Sequence, residues 1–574
     1  MGGAFKAASD GGSGELETAP GTLVPLARGT HGAVVAPHHL ATAAGLHVLR
    51  LGGSAVDAAI ATNAALAVVM PNGCGIGGDA FWLIWDEASG TQHALNGSGR
   101  SARGLGADDL RARGLATMPK RGPLTITVPG AVRSWGDAHR RHGRLSRGQI
   151  LGPAIELAAT GFPAWPGFIA AVESAIPFVR DALGPDAGFF SVLRPHGRAW
   201  RPGERVRLPA LAATLGLLAR DGFDAFYDGD LAEQQASGLA AVGSAVSADD
   251  LAVHRSTWGR PIAIDYHGVR VTTHPPNSSG VVALEMLGIL SGFEPPRPSG
   301  FGPNGVTDPD WVHLGLESAK LAMADRDRYI TDPALRDVPV KMLLDPVRLA
   351  DLAGTIDRRR AADPPPASNP PGGGTVYLAT VDADGNAVSL IESNYLGIGS
   401  GVVDPATGIH YQDRGAYFSL DPAHPNVLEP GKRTLHTLLP GMLLRDAGDG
   451  RGQRPWIIVG SMGGDAQPQI HAQFVSAVVD GGVDVRTAVA APRWYVEPAD
   501  HFRPPTDVHL EPRHLPGIAE ALAARGHRLV PTAPFDSNLG HEHAIELIDG
   551  GPAAPEGSLA AATDPRSEGL PAVW

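Results

Sequence analysis

Small apolar residues recur at helical spacing in two neighbouring stretches near the start of the chain, residues 39–51 and 56–69. Apolar side chains that repeat every three to four positions are typical of a helix with a buried face. The glycine pair at residues 52–53 separates the stretches and suits a helix end followed by a new start. We expect two packed helices here, and a further helix over residues 313–329.

Runs of β-branched and aromatic residues predict strands at residues 81–85, 376–381, 387–391 and 456–459. The segment 382–386, Asp-Ala-Asp-Gly-Asn, joins the second and third of these runs. A short glycine-containing connection between two such runs is a strong signal for a hairpin. Strands interleaved with helices indicate a layered α/β or α+β protein.

The bulk composition narrows the class of protein. Of 574 residues, 43% are hydrophobic and 19% are charged, which is typical of a soluble globular protein. The formal charge of −13 disfavours nucleic acid as the main partner. Cys74 is the single cysteine, so both an intramolecular disulfide and a zinc cluster of cysteines are excluded.

The N-terminal segment and the longest apolar stretch of the sequence indicate where the protein is located in the cell. Residues 1–28 are rich in Gly, Ser and Ala and predict a disordered leader rather than a secretory signal. The longest apolar stretch, residues 58–70, is too short and too rich in alanine to span a bilayer. We therefore expect a cytoplasmic protein without a membrane partner.

The most informative feature is a threonine at the head of a predicted strand. Residues 363–374 have the composition of an exposed linker and end in Gly372-Gly373-Gly374, and Thr375 follows directly. If the Gly374–Thr375 bond breaks, Thr375 has both a hydroxyl and a free α-amine. The hydroxyl can attack an acyl group, and the amine can serve as its general base. The pattern therefore indicates an enzyme that makes its own N-terminal nucleophile.

Several other motifs are weaker evidence for a function. Residues 73–78 satisfy GxGxxG, but a dinucleotide site needs a strand before and a helix after, and the order here is reversed, which favours a structural turn over a nicotinamide enzyme. The histidines of His541-Glu542-His543 do not share a helix face, so a loop or strand is favoured over a metal site. Gly463-Gly464 could form an oxyanion hole, and Arg100 could bind a carboxylate.

Many motifs, in order and at the right separations, resemble the γ-glutamyltranspeptidase family from about residue 30 to the end of the chain. They lie at residues 32–36, 49–59, 75–78, 375, 381–388, 399–401, 431–433, 460–464, 490–493 and 562–566. The resemblance implies an α+β N-terminal-nucleophile (Ntn) hydrolase fold, an αββα four-layer sandwich. It also implies autocleavage into a large chain, residues 29–374 behind the leader, and a small chain, residues 375–574, which remain together as a heterodimer. It implies no metal and no organic cofactor.

The resemblance assigns roles by position. Thr375 is the nucleophile and supplies the amine base, and Ser393 stands where the family has a threonine whose hydroxyl supports the nucleophile. Gly463 and Gly464 supply the oxyanion hole, and Arg100 holds the carboxylate of the substrate.

The substrate-binding positions depart from those of typical γ-glutamyl enzymes. An acidic pair that binds the α-amine of the substrate is replaced by Ala416 and Tyr417, and a serine pair by His436 and Thr437. A substrate-contacting asparagine position holds Tyr395, or Asn394 if the alignment shifts by one residue. Together with Arg414-Gly415 and Gly464-Asp465, these positions are similar to a divergent branch of the family that contains acylases and amidohydrolases.

We therefore expect an autoprocessed N-terminal threonine hydrolase that cleaves an amide with an acidic acyl group lacking an α-amine, such as a glutaryl or oxalyl amide. The alternatives are a γ-glutamyl hydrolase or transpeptidase acting on glutathione-like amides, and an acylase or C–C bond hydrolase of secondary metabolism. An unprocessed, non-catalytic homologue is an alternative from another class.

Overall fold

The computed structural model of the protein describes residues 25–363, 374–446, 448, 450, 452–497 and 507–574. Helices and antiparallel strands alternate along it. The helices are α1 (His39–Arg50), α2 (Ala55–Val69), α3 (Ala107–Ala112), α4 (Ala131–His142), α5 (Arg147–Thr160), α6 (Pro166–Leu183), α7 (Gly188–Leu193), α8 (Pro209–Asp221), α9 (Asp230–Ala241), α10 (Ala248–Val253), α11 (Gly280–Leu290), α12 (Pro309–Tyr329), α13 (Val340–Leu343), α14 (Pro346–Thr355), α15 (Gln467–Val479), α16 (Val485–Ala490) and α17 (Ile518–Ala524).

The strands are short and mostly belong to two sheets. They are β1 (Ala27–Gly29), β2 (Ala33–Val35), β3 (Asp79–Asp86), β4 (Thr91–Gly97), β5 (Phe162–Pro163), β6 (Arg205–Val206), β7 (Thr257–Gly259), β8 (Ile262–Tyr266), β9 (Val269–Thr273), β10 (Phe301–Gly302), β11 (Gly305–Val306), β12 (Thr375–Val381), β13 (Ala387–Ser393), β14 (Gly441–Asp446), β15 (Gln453–Ser461), β16 (Trp494–Val496), β17 (Asp507–Leu510), β18 (Arg528–Pro531), β19 (Glu542–Ile548), β20 (Ser558–Thr563) and β21 (Ala572–Val573).

Two seven-stranded sheets form the centre of the fold. One has the order β21-β2-β12-β13-β3-β4-β7, and the other has the order β1-β20-β19-β15-β14-β9-β8. Neighbouring strands in both sheets are antiparallel. Strand β12 therefore lies in the middle of its sheet, between β2 from early in the chain and its hairpin partner β13.

The side chains of β12 alternate between two cores. Tyr377 and Ala379 face the second sheet and pack in one cluster with Met442. Val376 and Leu378 point the other way, into a cluster built with the helices that include α2. The second sheet has its own outer helical layer, which includes α11, α12 and α15. This period-two alternation over two stacked sheets confirms the α+β class and the αββα four-layer sandwich.

Most predicted elements are present with small shifts at their ends. The helices predicted at residues 39–51, 56–69 and 313–329 are α1, α2 and α12, although α12 begins four residues earlier, where Asp308 caps it. The predicted hairpin is β12 with β13. None of the described helices combines the length and apolarity that crossing a membrane requires.

The leader prediction is wrong at its C-terminal end. Ala27 and Arg28 lie in β1 and pair with Ala561 and Ala560 of β20, because the antiparallel edge offers them backbone partners. Residues 1–24 of the predicted leader, and residues 364–373 of the predicted linker, lie outside the described residues.

One buried carboxylate closes the hairpin that carries the candidate nucleophile. Asp382 Oδ1 accepts hydrogen bonds from the backbone N–H groups of Asp384 and Asn386, at 3.1 and 3.0 Å. Its Oδ2 accepts a 3.0 Å bond from the N–H of Ala55, the first residue of α2. Gly385 supplies the turn with a φ of +88°, which favours glycine. The side chain of Asp382 therefore fixes both the hairpin and the neighbouring helix.

We expect Asp382→Ala to lower the free energy of unfolding by about 3 kcal/mol, because buried N–H groups of the turn and of α2 lose their acceptor. The change is measured as the shift in the urea midpoint of tryptophan fluorescence. Asp384→Ala is the matched control, since this side chain is exposed and pairs with Arg144 at the surface. An equal shift in the two variants would contradict this account of Asp382.

Candidate active site

The hairpin register places Thr375 directly opposite Ser393. Thr375 is the first residue of β12, Ser393 is the last of β13, and the two are cross-strand partners. Both are buried, with relative exposures of 3% and 1%. The Thr375 hydroxyl donates a hydrogen bond of 3.1 Å to Ser393 Oγ. The structure thus brings the predicted nucleophile and the predicted supporting hydroxyl into direct contact.

The Ser393 hydroxyl also contacts the bond that the sequence predicts to be cut. It donates to the carbonyl oxygen of Gly374 at 2.5 Å, and its oxygen accepts a 2.7 Å bond from the N–H of Tyr395. A hydrogen bond to a carbonyl oxygen withdraws charge from the carbonyl carbon. The Gly374 carbonyl is therefore polarised beside the hydroxyl of Thr375.

Two backbone N–H groups lie free at the end of β15. Gly463 and Gly464 have φ values of +143° and +56°, which favour glycine, and α15 begins three residues later. Neither N–H has an acceptor in the part of the chain that the structure describes. The N–H of Met462, just before them, is held by the carbonyl of His541 at 2.9 Å. This arrangement suits the stabilisation of an oxyanion.

Thr375 opens onto a wide cleft of about 1450 Å³. Gly374, Gly463 and Asp465 line the same cleft as Thr375, and Trp165 of the helical layer forms part of another wall. A substrate bound in the cleft therefore meets the candidate nucleophile and the free N–H of Gly463 together.

A buried group of aromatic and charged side chains lies behind the candidate nucleophile, Thr375. The ring of Tyr395 packs against Tyr417, with their centroids 5.4 Å apart, and the Arg414 guanidinium lies 4.2 Å from the centre of the Tyr395 ring. The Tyr417 hydroxyl donates to Asp465 at 2.7 Å. Asp465 also forms a 2.5 Å ion pair with Arg326. Tyr417 thus brings a hydroxyl to this group and no carboxylate.

His436 and Thr437 also border the buried group around Tyr395, Arg414 and Tyr417. His436 Nε2 lies 3.2 Å from Asp79 Oδ2, and Thr437 Oγ1 lies 3.5 Å from Arg414 Nη1. Burial lowers the pKa of His436 well below its usual range. Burial also raises the pKa of Asp79 to about 7, against the opposing effect of Arg414. His436 is therefore a neutral hydrogen-bonding group at neutral pH.

Two predicted substrate residues, Asn394 and Arg100, already have partners within the protein. The Asn394 side chain lies against the turn at residues 75–78 and contacts His410, so Tyr395 is the member of the pair that faces the candidate site. Arg100 Nη1 forms a 2.9 Å ion pair with Asp332 and donates to the carbonyl of Gly431 at 3.2 Å. The charge of Arg100 is thus already matched by a buried carboxylate.

The glycine-rich segment at residues 73–78 is the structural turn that the sequence predicts. The N–H of Gly75 donates to Glu392 Oε1 at 3.0 Å, and Asn63 of α2 donates to the other oxygen of the same carboxylate. A Cβ on Gly77 would lie 2.2 Å from the carbonyl oxygen of His410, so a side chain cannot fit there. Burial raises the pKa of Glu392 to about 8.

Within the part of the chain that the structure describes, a set of histidine and acidic side chains lies close together at α12. His313, Glu317 and His527 offer ligand atoms within 4.8 Å of one another, which the sequence analysis did not predict. His313 Nδ1 already lies 2.8 Å from His527 Nε2, and Lys320 donates to Glu317 at 2.7 Å. We interpret this set as a buried hydrogen-bond network. His541–His543 run into β19, in line with the predicted loop or strand.

Two site residues received no role from the sequence. Arg414 and Asp465 were part of the resemblance to the divergent branch, but their chemistry depends on neighbours far away in the chain. Arg326 pairs with Asp465 across 139 residues. The signals that could have revealed this pair are Tyr417, where the resemblance implies an acid, and the acidic residue Asp465.

Comparison with known proteins relates the whole sequence to one family. The family model described as gamma-glutamyltranspeptidase matches residues 41–574. The chain is 39% identical to the oxamate amidohydrolase proenzyme of Klebsiella pneumoniae, over 95% of this chain and 99% of that protein. It is 37% identical to the glutathione hydrolase-like YwrD proenzyme of Bacillus subtilis, over 94% of this chain and 98% of that protein.

A solved structure gives the same result at the level of the fold. The crystal structure of cephalosporin acylase from Bacillus halodurans superposes with a TM-score of 0.88 and 37% identity, covering 98% of this chain and 99% of that one. The match in sequence and in fold extends over nearly the whole chain. The protein therefore belongs to the γ-glutamyltranspeptidase family.

Proposed function

We propose that the chain is a proenzyme that cuts its own Gly374–Thr375 bond and then hydrolyses amides with Thr375 as the N-terminal nucleophile. The observation that supports this most strongly is the Ser393 hydroxyl, which contacts both the Thr375 hydroxyl and the Gly374 carbonyl. A contact with nucleophile and electrophile together is the geometry that an acyl shift requires.

Self-cleavage follows from these contacts. The Thr375 oxygen attacks the Gly374 carbonyl carbon, and its proton passes through Ser393 to the carbonyl oxygen. The C–N bond then breaks, the proton moves to the nitrogen, and Gly374 is left as an ester on Thr375. Water hydrolyses the ester and gives residues 1–374 and 375–574. The two chains stay together because β12 and β13 lie between β2 and β3, which belong to the large chain.

The mature site uses the same groups on a substrate. The α-amine of Thr375 accepts the hydroxyl proton while the oxygen attacks the acyl carbonyl, and the N–H groups of Gly463 and Gly464 stabilise the oxyanion. The amine then gives its proton to the leaving nitrogen. Water, or an acceptor amine, attacks the resulting ester and releases the acyl group.

The pocket favours an acidic acyl group without an α-amine. Tyr417 replaces an acid of typical γ-glutamyl enzymes, and Asp465 is engaged by Arg326. Relatives that carry the names oxamate amidohydrolase and cephalosporin acylase support an acyl group other than γ-glutamyl. A γ-glutamyl hydrolase is the second candidate, because Asp465 Oδ2 has no hydrogen-bond partner among the described residues and Asp465 lines the cleft.

We expect purified wild-type protein to show two chains by intact-mass analysis, the smaller beginning at Thr375. Thr375→Ala removes the nucleophile and should remain a single chain. Thr375→Ser, which keeps a hydroxyl at the same place, is the matched control and should be processed. An uncut wild-type chain after prolonged incubation would refute self-cleavage at this bond.

We expect Ser393→Ala to slow processing by about 100-fold, because the Gly374 carbonyl loses its hydrogen-bond donor and Thr375 loses its proton relay. The rate is followed as the fraction of uncut chain over time. Ser393→Thr keeps the hydroxyl and should stay within about tenfold of wild type. Equal rates for the alanine variant and wild type would remove Ser393 from the mechanism.

We expect glutaryl-p-nitroanilide to be hydrolysed with a higher kcat/KM than γ-glutamyl-p-nitroanilide, which differs by the α-amine alone. The physical reason is that an ammonium group would be buried beside the positive charge of Arg414, while Asp465 is already paired with Arg326. Release of p-nitroaniline is the readout. Much faster turnover of the γ-glutamyl compound would instead support the γ-glutamyl hydrolase and assign its amine to Asp465.

A further inference from the structure

Arg414 is a buried guanidinium without an ion-pair partner among the described residues. The residue is 1% exposed. Its contacts are long, since Nη2 lies 3.5 Å from Ser393 Oγ and Nη1 lies 3.5 Å from Thr437 Oγ1. The Nε atom of Arg414 also has no hydrogen-bond partner among the described residues. An arginine remains charged at neutral pH, and a buried charge that lacks a counterion is strongly unfavourable.

The nearby carboxylates leave this charge largely unmatched. Asp79 and Asp413 act on Arg414 from beyond ion-pair distance. Asp79 is engaged with His436, and one oxygen of Asp413 accepts from the N–H of Leu396. Burial raises the pKa of both acids to about 7, so each is partly protonated at neutral pH. An anion from outside the chain would complete the charge balance.

The guanidinium lies next to the place that a substrate acyl group must take. During self-cleavage Gly374 is the acyl group, and its carbonyl oxygen lies 2.5 Å from Ser393 Oγ. The same Ser393 oxygen is the group that Arg414 approaches. A carboxylate attached close to the acyl carbonyl of a substrate would therefore reach the guanidinium.

The space around Gly374 restricts the size of that acyl group. A Cβ on Gly374 would lie 2.3 Å from the backbone nitrogen of Gly397 and 2.8 Å from the carbonyl oxygen of Tyr395. Through Ser393 Oγ, only two contacts, of 3.5 and 3.1 Å, separate Arg414 Nη2 from Thr375 Oγ1. The guanidinium and the Thr375 hydroxyl are therefore close together. A compact acyl group, with its carboxylate near the carbonyl, fits between them better than a long acyl group does.

We propose that Arg414 binds the carboxylate of a short dicarboxylic acyl group, oxalyl or malonyl, in the amides that this enzyme hydrolyses. The inference rests on the proposed function and assigns the anion to Arg414 in place of Arg100. The planar guanidinium offers paired N–H donors that match a carboxylate. Its contact with the ring of Tyr395, at 4.2 Å, orients that plane.

The test uses processed wild-type enzyme and measures ammonia release from oxamate, malonamate, succinamate and glutaramate. Malonamide is the neutral partner of malonamate, with an amide in place of the carboxylate. We expect kcat/KM to fall as the acyl chain lengthens, and malonamate to exceed malonamide by at least about 100-fold. This comparison needs no variant, so it holds even where a substitution at Arg414 prevents folding.

The variants locate the anion site. Arg414→Gln should remove the preference for malonamate over malonamide, and Arg414→Lys should keep part of it, since a lysine retains charge without the paired donors. Arg220→Gln, at an exposed ion pair with Asp221, is the control and should retain the full preference. Intact mass is recorded for each variant, so that a failure of processing is distinguished from a failure to bind the anion.

Each other outcome overturns the proposal. Equal turnover of malonamate and malonamide by processed wild type shows that the site has no anion preference, while leaving self-cleavage intact. If processed wild type hydrolyses none of the anionic amides, the proposal is also overturned, and self-cleavage is again unaffected. Loss of the preference in Arg100→Gln, with its retention in Arg414→Gln, assigns the carboxylate to Arg100. An unprocessed wild type, by contrast, refutes the proposed function itself.

Discussion

The contact between Thr375 and Ser393 is the interaction on which the site depends. It exists because the first residue of β12 is paired with the last residue of β13, so all seven residue pairs of the hairpin must be in register. A shift of one residue would turn every side chain of β12 to the opposite face. The two cores on either side of the sheet prevent such a shift, and Asp382 closes the turn. The packing of the two sheets therefore fixes the position of the Thr375 hydroxyl.

The electrostatics of the site follow from burial. Behind Thr375 the structure places charged groups where water cannot solvate them, and most are matched by close partners, as Asp465 is by Arg326. Arg414 has no ion-pair partner among the described residues, and it lies beside Ser393, the cross-strand partner of Thr375. Arg100, which the resemblance assigns to the carboxylate, is neutralised by Asp332. This ion pair, which the sequence motifs do not show, is the reason why we propose Arg414 rather than Arg100 for the substrate carboxylate.

The sequence predicted the fold and the centre of the site because their signals are local. Helical spacing, strand alternation and the Asp-Gly turn each act over a few residues, and the family motifs placed Thr375 and Ser393 in the same hairpin. The predictions were weaker where distant segments meet. The sequence around Ala27 does not predict its pairing with Ala561. The sequence around Arg326 does not predict its ion pair with Asp465. Such contacts are decided by tertiary packing rather than by local pattern.

The most direct test of the central claim is to trap the covalent intermediate. Processed enzyme is mixed with an excess of a hydrolysed amide, quenched in acid within milliseconds to seconds, and both chains are weighed and digested. The account predicts a small chain heavier by the mass of the acyl group, with the modification on its N-terminal Thr375. An acyl group on any other residue, or turnover without modification of the small chain at every quench time, would contradict the assignment of Thr375 as the nucleophile.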